Sequence, residues 1–169
     1  GEKERSLKLA SELLPLRRSA LAADPGNDKA KRDLANTLER VAARGVKQHM
    51  MNATEAMAML EEAHVLRQAL RAGDPNSNTN RRDLAWNHYQ MGFLLDSGES
   101  TSHYTSAVHL MVIGVQLNPE DNRNRNDLKR LIEDFEQRDI ALDMDPVQGS
   151  IAVLASIPPQ PREVDAQLS

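Results

Sequence analysis

Apolar residues along this chain recur with the period of an α-helix. Between residues 28 and 44, and again between residues 53 and 71, they return every three or four positions, which places them on one face of a helix. The alternation of apolar and polar residues that marks a β-strand is essentially missing. The clearest runs are Leu34, Leu38, Val41 and Ala42 in the first segment and Ala56, Leu60, Ala63 and Leu70 in the second. The pattern predicts an all-α protein.

One turn sequence between predicted helices occurs three times along the chain. The letters DPGN at 24–27 precede KRDLA at 31–35, and fifty residues later DPNS at 74–77 precedes RRDLA at 81–85. A weaker copy, with NPED before RNDL, spans 118–128. Proline cannot continue the preceding helix, and Asp, Asn or Ser side chains accept hydrogen bonds from the free amides of the next one. Each copy therefore predicts a joint between two helices.

The joints divide the chain into six predicted helices arranged in antiparallel pairs. Their expected ranges are 3–23, 28–44, 53–71, 78–96, 102–117 and 122–140. The first is expected to be strained or interrupted at Pro15, whereas Gly45 and Gly98 are expected in turns, where glycine tolerates positive φ. Four prolines exclude a long helix from 143–169. The predicted organisation is a helical repeat domain over 1–142 followed by an irregular C-terminal tail over 143–169.

Small residues recur where paired helices would cross. Gly92, Ala107, Gly114 and the following Pro119 resemble the pattern of the tetratricopeptide repeat (TPR) family. The preceding units supply Ala42, Ala63, Leu70 and Pro75, and Leu13, Ala20 and Pro25, of which Leu70 and Leu13 depart from the small residues of the family pattern. The distance from Gly92 to Ala107 exceeds the usual one by three residues, so an extended turn is expected there. The resemblance covers about residues 7–140 and implies an antiparallel helix-pair solenoid that winds as a right-handed superhelix.

The repeat lengths indicate which kind of TPR segment the chain resembles. Spacings of fifty and forty-four residues exceed the thirty-four that is usual for the family. They are similar to long-period TPR segments of bacterial signalling proteins, including serine/threonine kinases. This similarity implies a non-catalytic interaction or scaffold module that binds a protein or peptide, or another domain of the same protein. A homo-oligomer is also compatible with the sequence.

Three of the five aromatic residues, Trp86, Tyr89 and Phe93, lie on one face of the fourth predicted helix. In TPR arrays the matching positions line the concave groove, but a helix buried on all sides, or contact with the tail, also explains them. The flanking units place Asn36, Glu39 and Ala43 on one side and Arg130, Glu133 and Gln137 on the other. The basic and asparagine clamp of chaperone-binding TPR members is missing. The predicted ligand has an apolar or aromatic anchor flanked by polar groups.

Composition and charge exclude several classes. Residues 1–90 carry fifteen basic and twelve acidic side chains, and residues 91–169 carry six and thirteen. Nucleic acid is therefore not an expected partner, and a partner of the acidic half should be basic. Neither a membrane span nor a secretory signal is evident. Cysteine is absent, which leaves the compartment open with the cytoplasm favoured, and Gly1 suggests a chain trimmed from a longer protein.

Candidate chemistry in the sequence is weak. His103 and His109 are six residues apart and do not share a helical face, and His64 diverges from the acidic residues before it. No nucleophile motif or phosphate-binding glycine loop is found, so no enzyme activity, metal or cofactor is expected. Asn52 fits a glycosylation sequon, but with Glu55 it also fits a capping box, the preferred interpretation. Met50, Met51, Met57 and Met59 are interpreted as core filling before an adaptable binding surface.

Two alternatives to a scaffold module stay open. One is a small-ligand sensor or regulatory domain that uses the aromatic groove as a pocket, and the other is an enzyme with an unrecognised site. The apolar segment 150–157 of the tail is expected to cover the last helix, with occupation of the groove as the second hypothesis.

Overall fold

A computed structural model describes residues 2–95 and 97–140 of the chain. Within those residues all regular structure is α-helical, which confirms the predicted all-α class. The predicted tail at 143–169, and its contact with the last helix, lie outside the described residues. The helices are α1 (Glu2–Ala23), α2 (Asp28–Lys47), α3 (Ala53–Gly73), α4 (Asn78–Leu94), α5 (Ser97–Leu117) and α6 (Asn122–Gln137).

Polar side chains before the helices determine where they begin. The Asn27 side chain accepts a hydrogen bond from the amide of Ala30 at 3.0 Å. Asn52 and Glu55 form the reciprocal bonds of a capping box at 2.8 and 3.1 Å, so the capping interpretation is confirmed. At the starts of α4 and α6, the side chains of Ser77 and Asp121 accept hydrogen bonds from the amides of Asn80 and Arg123. The joint sequence therefore acts locally, by satisfying amides that have no partner inside the helix.

The repeated joints also repeat their side-chain contacts. Asn80 donates to the carbonyl of Leu70 at 2.9 Å, and Arg81 donates to the Pro75 carbonyl at 2.7 Å and to Asn78. Forty-four residues later, Asn124 donates to the carbonyl of Gly114, while Arg125 donates to the Pro119 carbonyl and to Asn122. Each pair fastens the start of one helix to the end of the previous one.

Each helix packs against the next one along the chain, and α2 also touches α4. Where α4 packs on α5, position 92 has no space for a side chain, because a Cβ atom on Gly92 would lie 2.8 Å from the Tyr104 ring. Small residues are also fully buried in the cores, namely Ala35 and Ala63 in one cluster and Ala85 and Ala107 in another. A glycine and alanines thus let the helices approach where bulky side chains would separate them.

The predicted interruption of α1 at Pro15 and the predicted turn at Gly45 are both wrong. Helix α1 continues through Pro15, because Leu7, Ala10 and Leu14 are buried against α2 while Pro15 faces solvent. Gly45 lies inside α2, and the positive φ of 55° falls on His49 instead. Glycine is needed at position 45 for space, since its Cβ would lie 2.8 Å from that of Met51.

The turn between α4 and α5 is not extended. Helix α4 ends at Leu94 and α5 begins at Ser97, so Gly98 falls within α5. The additional residues between Gly92 and Ala107 lengthen α5 at its beginning. The predicted methionine cluster is largely core, since Met51, Met57 and Met59 pack against buried residues, whereas Met50 is 57% exposed.

Candidate functional site

A surface cleft of about 240 Å³ lies between α4 and α6. Trp86 and Tyr89 of α4 form one wall, and Arg130, Glu133 and Gln137 line the other. The structure therefore brings together two of the predicted aromatic residues and the predicted polar residues of α6. We call this the α4–α6 cleft.

Tyr89 is fixed within the α4–α6 cleft by a hydrogen bond to α6. Its hydroxyl donates to Asp134 at 2.8 Å, and Asp134 also accepts from Arg138 at 3.0 Å. Burial and the Asp134 carboxylate raise the pKa of Tyr89 to about 12, so the phenol stays protonated at neutral pH. Asp134 and Arg138 were not among the predicted site residues, because only the fold brings position 134 to within bonding distance of position 89.

Trp86 and Phe93 differ in how far they are available to a ligand. Trp86 is partly buried against the core, stands edge-on to Tyr89 at 5.4 Å between ring centroids, and has the Arg130 guanidinium 5.7 Å from its ring. Phe93 is 52% exposed, with the Arg138 guanidinium 4.7 Å from its ring. The aromatic stripe thus has a fixed inner part and an open outer edge, each accompanied by an arginine.

Asn36 and Glu39, the predicted groove residues of α2, do not line the α4–α6 cleft. Glu39 is only 9% exposed and accepts from Arg67 at 2.7 and 3.2 Å, and Asn36 accepts from the same guanidinium at 2.6 Å. Asp83 completes the set at 2.9 Å. We call these four residues the Arg67 cluster. It contradicts the assignment of Glu39 to an open groove, because its carboxylate is committed to a buried cation.

The Arg67 cluster connects three helices. Arg67 of α3 is 2% exposed and bonds to side chains of both α2 and α4. Burial raises the pKa of Glu39, and the Arg67 guanidinium opposes that rise. A weaker counterpart fifty residues earlier joins Arg17 to Asp33, so the repeat itself contained a signal for this contact. Arg67 holds the α4 wall of the cleft in position relative to α2.

Comparison with known proteins does not assign the chain to a family, because no protein-family model and no curated protein matches it. Among the residues that the structure describes, no helix is both long and apolar enough to cross a membrane.

Proposed function

We propose that this chain is a non-catalytic interaction module that binds a protein or peptide partner through the α4–α6 cleft. The observation that supports it most is the meeting of Trp86 and Tyr89 with Arg130 and Glu133 in one surface depression. Aromatic and arginine side chains in a preformed pocket are typical of the positions that contribute most to protein association.

The size and charge of the cleft suggest the partner. About 240 Å³ is less than most small-molecule sites offer but suits one anchoring side chain. Glu133 is 53% exposed and is paired only loosely with Lys129, at 3.6 Å. Asp134, by contrast, is committed to Tyr89 and Arg138. We therefore expect an apolar or aromatic anchor beside a basic residue that pairs with Glu133.

The polar groups of the cleft support a non-catalytic role. Tyr89, Asp134 and Arg138 satisfy one another, and the Tyr89 hydroxyl is a poor acid or base because its pKa is about 12. Arg130 lies over an indole ring. None of these contacts pairs a nucleophile with a base, the arrangement that is typical of covalent catalysis.

The wider architecture that we propose is a TPR-like array of helix pairs, as in signalling proteins of bacteria. The packing of each helix against the next one and the matching contacts of Asn80 and Asn124 at successive joints support it. In such an array α2, α4 and α6 line one side, and the α4–α6 cleft opens on that side.

Selection of peptides from a random library on the immobilised protein tests the proposal. Selected peptides should contain an aromatic or large apolar residue next to Lys or Arg. The Glu133→Lys variant should bind them about tenfold more weakly, about 1.4 kcal/mol. Glu136→Lys is the matched control, because it makes the same charge change at an exposed position of the same helix outside the cleft. Equal weakening by both variants would point to overall charge and not to the cleft.

A small-ligand sensor is the second candidate, and one observation favours it. A larger cleft, about 520 Å³, lies on α3, α4 and α5 and is lined by Arg71, Leu84, His109 and Ile113 among others. The Nε atom of Arg71 is buried without a hydrogen-bond partner among the described residues. An amphipathic carboxylate such as octanoate would suit this lining. Stabilisation by octanoate, and not by octanol, that disappears in Arg71→Gln would support this candidate.

A further inference from the structure

Three histidines from three helices form a row that the sequence does not reveal. The rings of His64 and His88 stand edge to face with centroids 4.7 Å apart, and those of His88 and His103 are 5.3 Å apart. The Nδ1 atoms of His88 and His103 are separated by only 3.0 Å. The two positions are fifteen residues apart along the chain, so the α4–α5 packing alone creates the pair.

The hydrogen bond of His64 determines which of its ring nitrogens carries hydrogen. Asn87 donates through Nδ2 to the carbonyl of Leu60 at 3.1 Å, which leaves its Oδ1 as an acceptor. His64 lies 2.8 Å from that oxygen through Nδ1, so its Nδ1 atom carries hydrogen and donates. His64 is thereby held in place beside His88 by a side chain that is fully buried. It serves as a fixed support for the pair.

Only one hydrogen atom can lie between the Nδ1 atoms of His88 and His103. One Nδ1–H donates to the lone pair of the other Nδ1, since two protonated nitrogens would repel at this distance. A single shared hydrogen is the arrangement of two neutral rings, and neutral imidazole is the form that binds metals.

We infer that His88 and His103 form a two-histidine chelate for a divalent late transition metal such as Cu²⁺ or Ni²⁺. With metal–nitrogen bonds of about 2.05 Å, two ligands at a right angle are about 2.9 Å apart, whereas tetrahedral ligands are about 3.35 Å apart. The observed 3.0 Å of the hydrogen-bonded pair is close to that right-angle separation, so both nitrogens already lie within reach of one ion of the tetragonal type that Cu²⁺ and Ni²⁺ prefer. Binding requires the donating ring to move its hydrogen to Nε2 and the rings to turn, with no net loss of a proton.

The surroundings allow an ion to arrive. His88 lines the larger cleft, and both rings of the pair are partly exposed. Among the described residues no group of three or more His, Cys, Asp or Glu side chains is arranged to hold a metal, so water would fill the other positions. Glu99, one helical turn before His103, contributes a negative charge that favours a cation.

Titration of the untagged protein with CuCl₂ and NiCl₂ tests the chelate. Calorimetry should show one saturable site per chain, and the Cu²⁺ complex should give an electron paramagnetic resonance spectrum of tetragonal type with nitrogen ligands. His103→Ala should weaken binding by more than the roughly 10- to 100-fold that loss of an outer partner costs. His49→Asn should bind like the wild type, because His49 is exposed just after α2, far from the pair in sequence and outside the larger cleft, and Asn tolerates its positive φ of 55°.

Three results would overturn the inference. They are the absence of saturable binding by the wild type, unchanged binding by His103→Ala, and a loss in His49→Asn as large as in His103→Ala. Circular dichroism of each variant verifies folding, and His88→Asn supplies a second variant from the other helix. If His88→Asn is folded and binds as tightly as the wild type, the chelate is likewise excluded.

Discussion

Replacement of Arg67 by methionine should destabilise the protein strongly. Methionine retains an apolar stem of similar length, so the change removes mainly the guanidinium group from a site where the side chain is 2% exposed. That group donates to Glu39, Asn36 and Asp83. Its loss leaves the Glu39 carboxylate buried without its cation.

The expected cost is about 3–5 kcal/mol, the range measured when one partner of a buried ion pair is removed. Total stability of a domain is typically about 5–15 kcal/mol, so roughly a fifth or more of it would disappear. Urea unfolding followed by far-ultraviolet circular dichroism and by the fluorescence of Trp86 measures this difference. Trp86 is the only tryptophan of the chain, which makes its signal unambiguous.

Two further variants identify the cause. Arg18→Met removes an exposed ion pair with Glu62 and should cost less than about 1 kcal/mol. Adding Glu39→Gln to Arg67→Met should recover part of the loss, because no full charge then stays buried at position 39. A cost below about 1 kcal/mol for Arg67→Met, or further loss on adding Glu39→Gln, would refute the reasoning.

Three other perturbations have defined outcomes. Gly92→Ala should lower the melting temperature because its Cβ would lie 2.8 Å from the Tyr104 ring, whereas Gly73→Ala, with nothing within 4 Å, should not. Asn52→Ala should cost about 1 kcal/mol in urea unfolding through loss of the α3 capping box, and an unchanged midpoint would contradict this. Folding lowers the pKa of His88 from 6.5 to about 4. As the pH falls, this residue is therefore protonated in the unfolded chain before it is protonated in the folded protein. Stability should therefore fall between pH 6.5 and 4, by at most about 1.4 kcal/mol per pH unit, and less so in His88→Asn.

Local signals in the sequence predicted the helices and their joints. The caps at Asn27 and Asn52 depend on neighbours three residues away, and periodic apolar positions place the core faces. The predictions failed where packing overrides local preference. Pro15 stays helical because Leu7, Ala10 and Leu14 before it are buried against α2 and Leu21 after it is partly buried there. Gly45 is needed for space and not for positive φ.

The candidate site was only partly predictable. The repeat offset of forty-four residues pointed from Trp86 and Tyr89 to Arg130 and Glu133, and these residues share a cleft. The same reasoning misplaced Glu39, because the offset says nothing about Arg67 on the neighbouring helix, which binds its carboxylate. Contacts between residues far apart in sequence depend on rotations of whole helices, which a pattern within one helix does not determine.

The most direct test of the proposed function is a nuclear magnetic resonance titration with a selected peptide. The single indole N–H of Trp86 reports on the α4–α6 cleft without further assignment. Saturating peptide should shift this signal, and Glu133→Lys should require about tenfold more peptide for the same shift, whereas Glu136→Lys should not. A peptide that saturates the protein while the Trp86 indole signal stays in place would contradict the proposal.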